Sequence, residues 1–215
     1  MPLPIDPTTR SVFSPWLALV AAVVALFIYL GVLDNELQYD GRQLTILNGQ
    51  VVQPSSLRQI WLEPIPAQSA GPAYRPILAA FLRIQFKSWG YSPSSFHSVN
   101  LILLVALLLL YQALVGRLSR HMGLTIVAGM TLALHPMASQ AVRGVAGQGL
   151  LLALLASLGA AYLLQWYREG GIGRTVAVVS IAMCGALAMG SHELGMILPV
   201  WLGIQWWLVR LREGM

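Results

Sequence analysis

The sequence predicts an all-α, polytopic transmembrane helix bundle of about six spans, with a long outer first loop and an interfacial amphipathic helix. Three observations carry this reading. The 215 residues are 57% hydrophobic and only 10% charged, with a mean hydropathy of +0.68, whereas a soluble domain carries about 25% charge. Roughly six apolar runs approach the length of about 20 residues that a bilayer core demands of a helix. Between the first two runs, apolar residues recur at helical spacing in a segment too long to be a passive connector.

Other classes fit poorly. Apolar residues dominate, and the 20 Gly and 12 Pro show no short period, which excludes disordered and collagen-like chains. The single cysteine, Cys184, cannot form an intramolecular disulfide and reads as a small core residue. The net charge of +5 and pI near 9.8 come from basic residues scattered between apolar runs, so they read as topology determinants and no nucleic-acid partner is expected.

The first run, Pro15 to Leu33, is bounded by Ser14 and by Asp34, Asn35 and Glu36. Its length, with Arg10 alone in the flank, points to a retained anchor and not a cleaved signal peptide. The others are Ser98 to Gly116, Met122 to Met137, Val145 to Trp166, Thr175 to Gly190 and Leu194 to Val209. Three of these are short, so tilt, bilayer thinning or a re-entrant segment is open to them. With the N-terminus inside, the cytoplasmic side holds Arg10, Arg117, Arg120, Arg168, Arg174, Arg210 and Arg212, and the short outer loops only Arg143. This asymmetry places both termini in the cytoplasm and residues 34–97 outside. The domain expectation is a tail over 1–13 and one transmembrane domain over 14–215, in a bacterial inner membrane.

Within the outer loop, Leu44 to Val52 reads as a β-like stretch turned at Asn48-Gly49. Ser55 or Ser56 can cap a short helix through Trp61, ended by Pro64 and Pro66. From Pro76 to Trp89, the residues Ile77, Leu78, Phe81, Leu82, Phe86 and Trp89 form an apolar face, with Arg83 and Lys87 one turn apart. Such a helix either covers the bundle or grips an anionic lipid headgroup.

Ionisable residues near the membrane are functional candidates because an unpaired buried charge is costly. Asp34, Glu36 and Asp40 follow the first run, His135 and Arg143 flank the end of the third, and His192-Glu193 separates the last two. All fall on the expected outer side. There a carboxylate could act as a base on a hydroxyl and an arginine could clamp a phosphate; the alternative is ordinary helix caps and solvated charges. The four histidines, His97, His121, His135 and His192, form no HExxH or two-histidine helix face, so no metal site and no cofactor are expected. Haem or a chlorophyll-type pigment held by one histidine per helix stays open, because sequence spacing does not test it.

Several local motifs keep a common order over about residues 14–200: Tyr39-Asp40-Gly41 through Leu47-Asn48, Tyr74-Arg75-Pro76-Ile77, Phe96-His97-Ser98-Val99-Asn100-Leu101, Leu134-His135-Pro136 through Ala141-Val142, Ala146-Gly147, and Ser191-His192-Glu193 with Leu198-Pro199. In this order the chain resembles the N-terminal membrane half of GT-C glycosyltransferases, specifically the O-mannosyltransferase-like proteins that carry tetratricopeptide repeats after their membrane segments. The resemblance implies a GT-C-like fold and sugar transfer from a polyprenyl-phosphate donor to a hydroxyl on the outer face. It implies Asp40 as base and Arg75 near the donor phosphate, with Arg83, Lys87 and Arg143 as further phosphate or headgroup contacts, and His192 and Glu193 in the late acidic motif beside His135.

The chain also departs from that pattern. Paired acids are reduced to Asp40-Gly41, and a histidine and glutamate after the His-Pro are replaced by Ala138 and Gln140. A Gly-Arg-x-Asp becomes Gly147-Gln148-Gly149-Leu150, and a Ser-Lys-Glu becomes Ser191-His192-Glu193. Each removes a group that a phosphate-sugar site would use. The sequence also ends after about six runs without repeats. The expectation is therefore a degenerate GT-C-like membrane protein acting as a non-catalytic accessory or scaffold subunit of a larger membrane complex. Active sugar transfer is the alternative, and a haem or pigment subunit the second. Ala153, Ser157 and Ala161 form a small-residue stripe that would serve a partner helix or internal packing.

Overall fold

The computed structural model describes residues 15–37, 39–53, 57–68 and 71–213; the expected tail over 1–13 and the Ser55/Ser56 cap lie outside them. Helix α1 (Pro15–Tyr29) runs into a 3-10 turn, Leu30–Asp34. The loop then folds as α2 (Tyr39–Leu44), α3 (Gly49–Val52), α4 (Leu57–Leu62), an antiparallel pair β1 (Ile65–Gln68) and β2 (Gly71–Ala73), and α5 (Pro76–Trp89). The rest is helical: α6 (Pro93–Ser119), α7 (Met122–Leu134), α8 (Pro136–Arg143), α9 (Gly147–Arg168) and α10 (Arg174–Ser191), then a 3-10 turn (Glu193–Ile197) and α11 (Leu198–Glu213).

This is the expected all-α bundle, but the number of spans is lower than six. Among the described residues, α6, α9 and α10 are long and apolar enough to cross a membrane, and α7 with α8 makes a fourth if the bent pair counts as one. The cause lies in the backbone. His135-Pro136 breaks the third run with a 51° bend, because proline removes a donor and the residue before it is pushed out of helical geometry. The first run reaches only Tyr29 before tightening to 3-10, and the last begins with a 3-10 turn that leaves α11 16 residues.

Leu44 to Val52 is not a β-turn segment. Asn48 is extended, and its side-chain oxygen accepts the Gln50 N–H at 2.9 Å, so it starts α3. Asparagine serves a turn and a helix cap by the same chemistry. The strands form instead at 65–73, where Ile65 pairs with Ala73 and Gln68 with Gly71.

The loop is a packed cap. Leu37, Leu44, Val51, Ile60 and Ile65 bury against Leu78, Ala79 and Leu82 of α5 and Phe96 of α6. Outside the bilayer this apolar burial stabilises at about 1.5–3 kcal/mol per large side chain. Helix α5 covers the bundle, lying on α3, α9 and α10. Of the expected basic pair, Arg83 is buried while Lys87 is exposed. Arg83 Nη1 reaches the Gln50 carbonyl at 3.5 Å, so it faces the cap.

Within the apolar helices, close packing and polar ties replace the hydrophobic effect. Ala21 and Ala25 of α1 share one buried cluster with Leu104 and Leu108 of α6, Ala133 of α7 and Leu151 of α9, in which α1 packs on α6 and α7. In the stripe, Ala153 and Ala161 are buried inside the chain, and Ala160 packs on Ala188 of α10. Three buried amides join the elements. Gln85 of α5 and Gln148 of α9 exchange hydrogen bonds at 2.7 and 3.2 Å, and Gln148 also donates to the Phe96 carbonyl at 3.2 Å. Asn100 Nδ2 donates to the carbonyls of Val142 at 2.8 Å and Gly144 at 3.0 Å, satisfying the C-terminal end of α8.

Replacing Asn100→Ala takes the donor from the buried Val142 carbonyl, while the Gly144 carbonyl keeps the Gly147 N–H at 2.9 Å, a cost of about 1–3 kcal/mol for the group left unsatisfied. Thermal unfolding in detergent should show the loss as a lower Tm, at about 2–4 °C per kcal/mol for a chain of this size. An unchanged Tm would remove Asn100 from the account.

Candidate functional site

Three of the expected site residues meet at one end of the bundle. Helix α10 stops at Ser191, and His192 is extended (φ −159°, ψ 148°), which turns the chain into the 3-10 turn that carries Glu193. Glycine permits this approach at two points. A Cβ on Gly195 would overlap the Ala188 backbone, and one on Gly190 would overlap Ile77 of α5. The start of α5 is thereby brought against the end of α10. Arg75 precedes α5, with Pro76 in its first turn.

Arg75 reaches Glu193 as a two-pronged pair across 118 positions of sequence. Its Nε donates to Oε1 at 2.9 Å and Oε2 at 3.1 Å, and its Nη2 donates to Oε2 at 2.8 Å. The Arg75 side chain is 13% exposed and that of Glu193 49%. A guanidinium held by a fork of charge-assisted bonds is already engaged by the anion that fits it best.

His192 completes the cluster. Its Nδ1 accepts the Leu194 N–H at 3.3 Å and so starts the turn. Glu193 Oε2 also lies 3.3 Å from that nitrogen. A nitrogen that accepts from an amide carries no proton, so the carboxylate contact becomes a hydrogen bond only when the imidazole is protonated. Burial lowers the His192 pKa and nearby Arg75 lowers it further, against an opposing pull from Glu193. For Glu193, partial burial pushes the carboxyl up, but the hydrogen bonds from Arg75, the turn's N–H and the charges of Arg75 and His192 outweigh it, and the pKa falls. The cluster thus favours a neutral imidazole and an ionised carboxylate, and a carboxylate of lowered pKa is a weakened base.

The other expected residues lie apart from this contact. His135 Nδ1 accepts the Met137 N–H at 3.2 Å and starts α8, as His121 Nδ1 starts α7 by accepting from Leu124 at 3.4 Å. Arg143 is exposed at the end of α8, where with Tyr29, Val32, Asn35 and Ser139 it lines a cleft of about 510 Å³. Asp40 is half-buried in the first turn of α2, whose Gly41 lies against Leu37 and Val145. Lys87 stands exposed near the end of α5. Among the described residues, no group of three or more His, Cys, Asp and Glu could hold a metal ion. His97 is 1% exposed, its ring beside the carbonyls of Val142 and Asn35 but outside strict hydrogen-bond geometry.

The sequence reading names Asn100 and Gln148 only within motifs and Gln85 not at all, and it expects none of the three to tie helices together. The signal was present for Asn100, a polar residue at the head of an apolar run, because such a residue turns toward the protein interior.

The pH dependence has a definite sign. His192 is harder to protonate folded than at its ordinary 6.5, so its stabilising effect is present above pH 6.5 and is lost as pH falls toward the lower folded value. Glu193 acts likewise below 4.5. The Tm should therefore fall on acidification from pH 7 to 5, and His192→Asn, which keeps a capping oxygen, should flatten that fall. An unchanged slope would contradict the assignment.

No family model matches the chain, and no solved structure matches it. Curated proteins do. Over 175 residues the chain is 28% identical to protein O-mannosyl-transferase Tmtc1 of Drosophila melanogaster, covering 78% of this chain and 20% of that protein. Over 217 residues it is 27% identical to protein O-mannosyl-transferase TMTC4 of Mus musculus, covering 89% and 29%. The human TMTC4 protein is 27% identical over 210 residues, covering 86% and 28%. The chain thus spans less than a third of the length of these relatives. All three are animal proteins and lend no support to a bacterial inner membrane. At low identity over most of its length, this apolar helical membrane protein resembles the protein O-mannosyl-transferases.

Proposed function

We propose that this chain is a non-catalytic accessory or scaffold subunit of a larger membrane protein complex. One observation carries the reading: Arg75, the residue that the family resemblance places near a donor phosphate, is held by both oxygens of Glu193. A phosphate arriving there would have to displace a carboxylate already matched to the guanidinium. The neighbouring groups support the same reading. His135 and His192 spend their Nδ1 lone pairs on helix starts, and Gln148 is buried in an amide pair with Gln85. The polar groups at this end hold helices together, and the exposed apolar faces of α10 and α11 offer surface to lipid or to other membrane subunits.

A second reading rests on a different place. The cleft at Arg143 is open, with Asn35 and Ser139 as further polar groups. It could receive a polyprenyl-phosphate head, and Asp40 would serve as base in transfer to a hydroxyl.

The two readings separate in one experiment on protein extracted gently from its own membrane. Native electrophoresis with mass spectrometry should find it in a stoichiometric complex, and reconstituted with a polyprenyl-phosphate-sugar and a hydroxyl acceptor it should transfer no sugar above empty vesicles. Migration alone, together with transfer that Asp40→Asn abolishes, would overturn the scaffold reading.

A further inference from the structure

Arg75 and His192 compete for one carboxylate oxygen. Glu193 Oε2 accepts from Arg75 Nη2 at 2.8 Å and from Arg75 Nε at 3.1 Å, and His192 Nδ1 lies 3.3 Å from the same oxygen. Such an oxygen offers about two lone pairs, and Arg75 occupies both. While the imidazole is neutral, Nδ1 is an acceptor filled by the Leu194 N–H and makes no demand on Glu193. A proton on Nδ1 reverses this: the nitrogen becomes a donor, loses the Leu194 amide and adds a third donor at Oε2. The charge of the cluster changes with it. Arg75 and Glu193 cancel while His192 is neutral, and a charged His192 leaves a net positive charge on a partly buried turn. Helices α9, α10 and α11 pack on that turn, and among the described residues the charges acting on His192 are those of Arg75 and Glu193.

We propose that Glu193 stands in for an oxyanion of the phosphate or sulfate class, and that protonation of His192 releases Arg75 to bind that anion. The proposal rests on the reading above, in which Glu193 holds Arg75, and adds the condition under which it lets go. With Glu193 drawn to the imidazolium, the guanidinium presents its fork to an incoming anion, which it matches as well as it matches a carboxylate. The cluster is open to solvent at Glu193, whose side chain is 49% exposed. Anion binding and proton uptake then favour each other by the same factor, as linkage requires. The window lies below pH 6.5, because burial and the nearby Arg75 keep the imidazole neutral above it, and Glu193 stays ionised to below pH 4.5.

The test titrates the full chain in neutral detergent with sodium sulfate, whose charge is constant from pH 5 to 7.5, and separately with phosphatidylglycerol, by isothermal calorimetry at fixed ionic strength. Binding should be about five-fold or more tighter at pH 5 than at pH 7.5. Tightening for sulfate assigns a free anion, and tightening for phosphatidylglycerol alone assigns a lipid phosphodiester; either supports the switch. Glu193→Gln should bind at pH 7.5 about as tightly as the parent does at pH 5, His192→Asn should bind weakly at both, and Arg75→Gln should lose binding at both. If His192→Asn does not fold, Glu193→Gln, at an exposed position, decides. Equal affinity of the parent at the two pH values, pH dependence that survives in His192→Asn, or weak binding by Glu193→Gln at pH 7.5 would overturn the proposal. The scaffold reading is decided separately, by the electrophoresis and sugar-transfer experiment.

Discussion

A helix that ends among other helices, away from water, must find donors for its last carbonyls, and most of this architecture follows from how that demand is met at α8. The bend at His135-Pro136 stops α7 early and sends α8 across its end. That leaves the carbonyls of Val142 and Gly144 facing protein, where the Asn100 amide of α6 takes both. Without such partners irregular backbone at this depth is expensive. Once they are supplied, α9 starts beside α6, Gln148 meets Gln85, and α5 is held across the top of the bundle. The cleft at Arg143 is the outer surface of the same bend.

Much of this was legible in the sequence, and the failures have physical causes. The runs Ser98 to Gly116, Val145 to Trp166 and Thr175 to Gly190 became α6, α9 and α10 within about five residues of their expected limits, because their apolar sequence is unbroken by proline. Runs cut by Pro136 or entered through a 3-10 turn fell short, since hydropathy counts apolar residues and does not see backbone donors. The amphipathic pattern of α5 was right in period, yet Arg83 turned inward because the cap supplied the Gln50 carbonyl, a partner that only the folded loop creates. Asn48-Gly49 was read as a hairpin turn for the same reason: its cap and turn chemistries are indistinguishable until neighbouring segments choose.

The candidate site was legible as a set of residues but not as a set of partners. Arg75, His192 and Glu193 were singled out separately, and no spacing could reveal that the first and last bind each other across 118 positions. That contact changes the chemistry. A guanidinium awaiting a phosphate and one closed on a carboxylate have the same sequence signature, and geometry separates them. The remaining polar groups follow a similar economy, with histidines starting helices and buried amides joining them. The resemblance to O-mannosyl-transferases is one of sequence at low identity, and the proposed loss of chemistry rests on how the polar side chains of this chain are used.

The most direct measurement is a charge exchange at that contact. Arg75→Glu and Glu193→Arg, made singly and together, should each lower the Tm alone, while the combined variant should recover most of the loss. A partly exposed pair of this geometry is worth about 1 kcal/mol, or about 2–4 °C. If Arg75→Glu leaves the Tm unchanged and the exchange recovers nothing, Arg75 is not a structural tie, and the central claim fails.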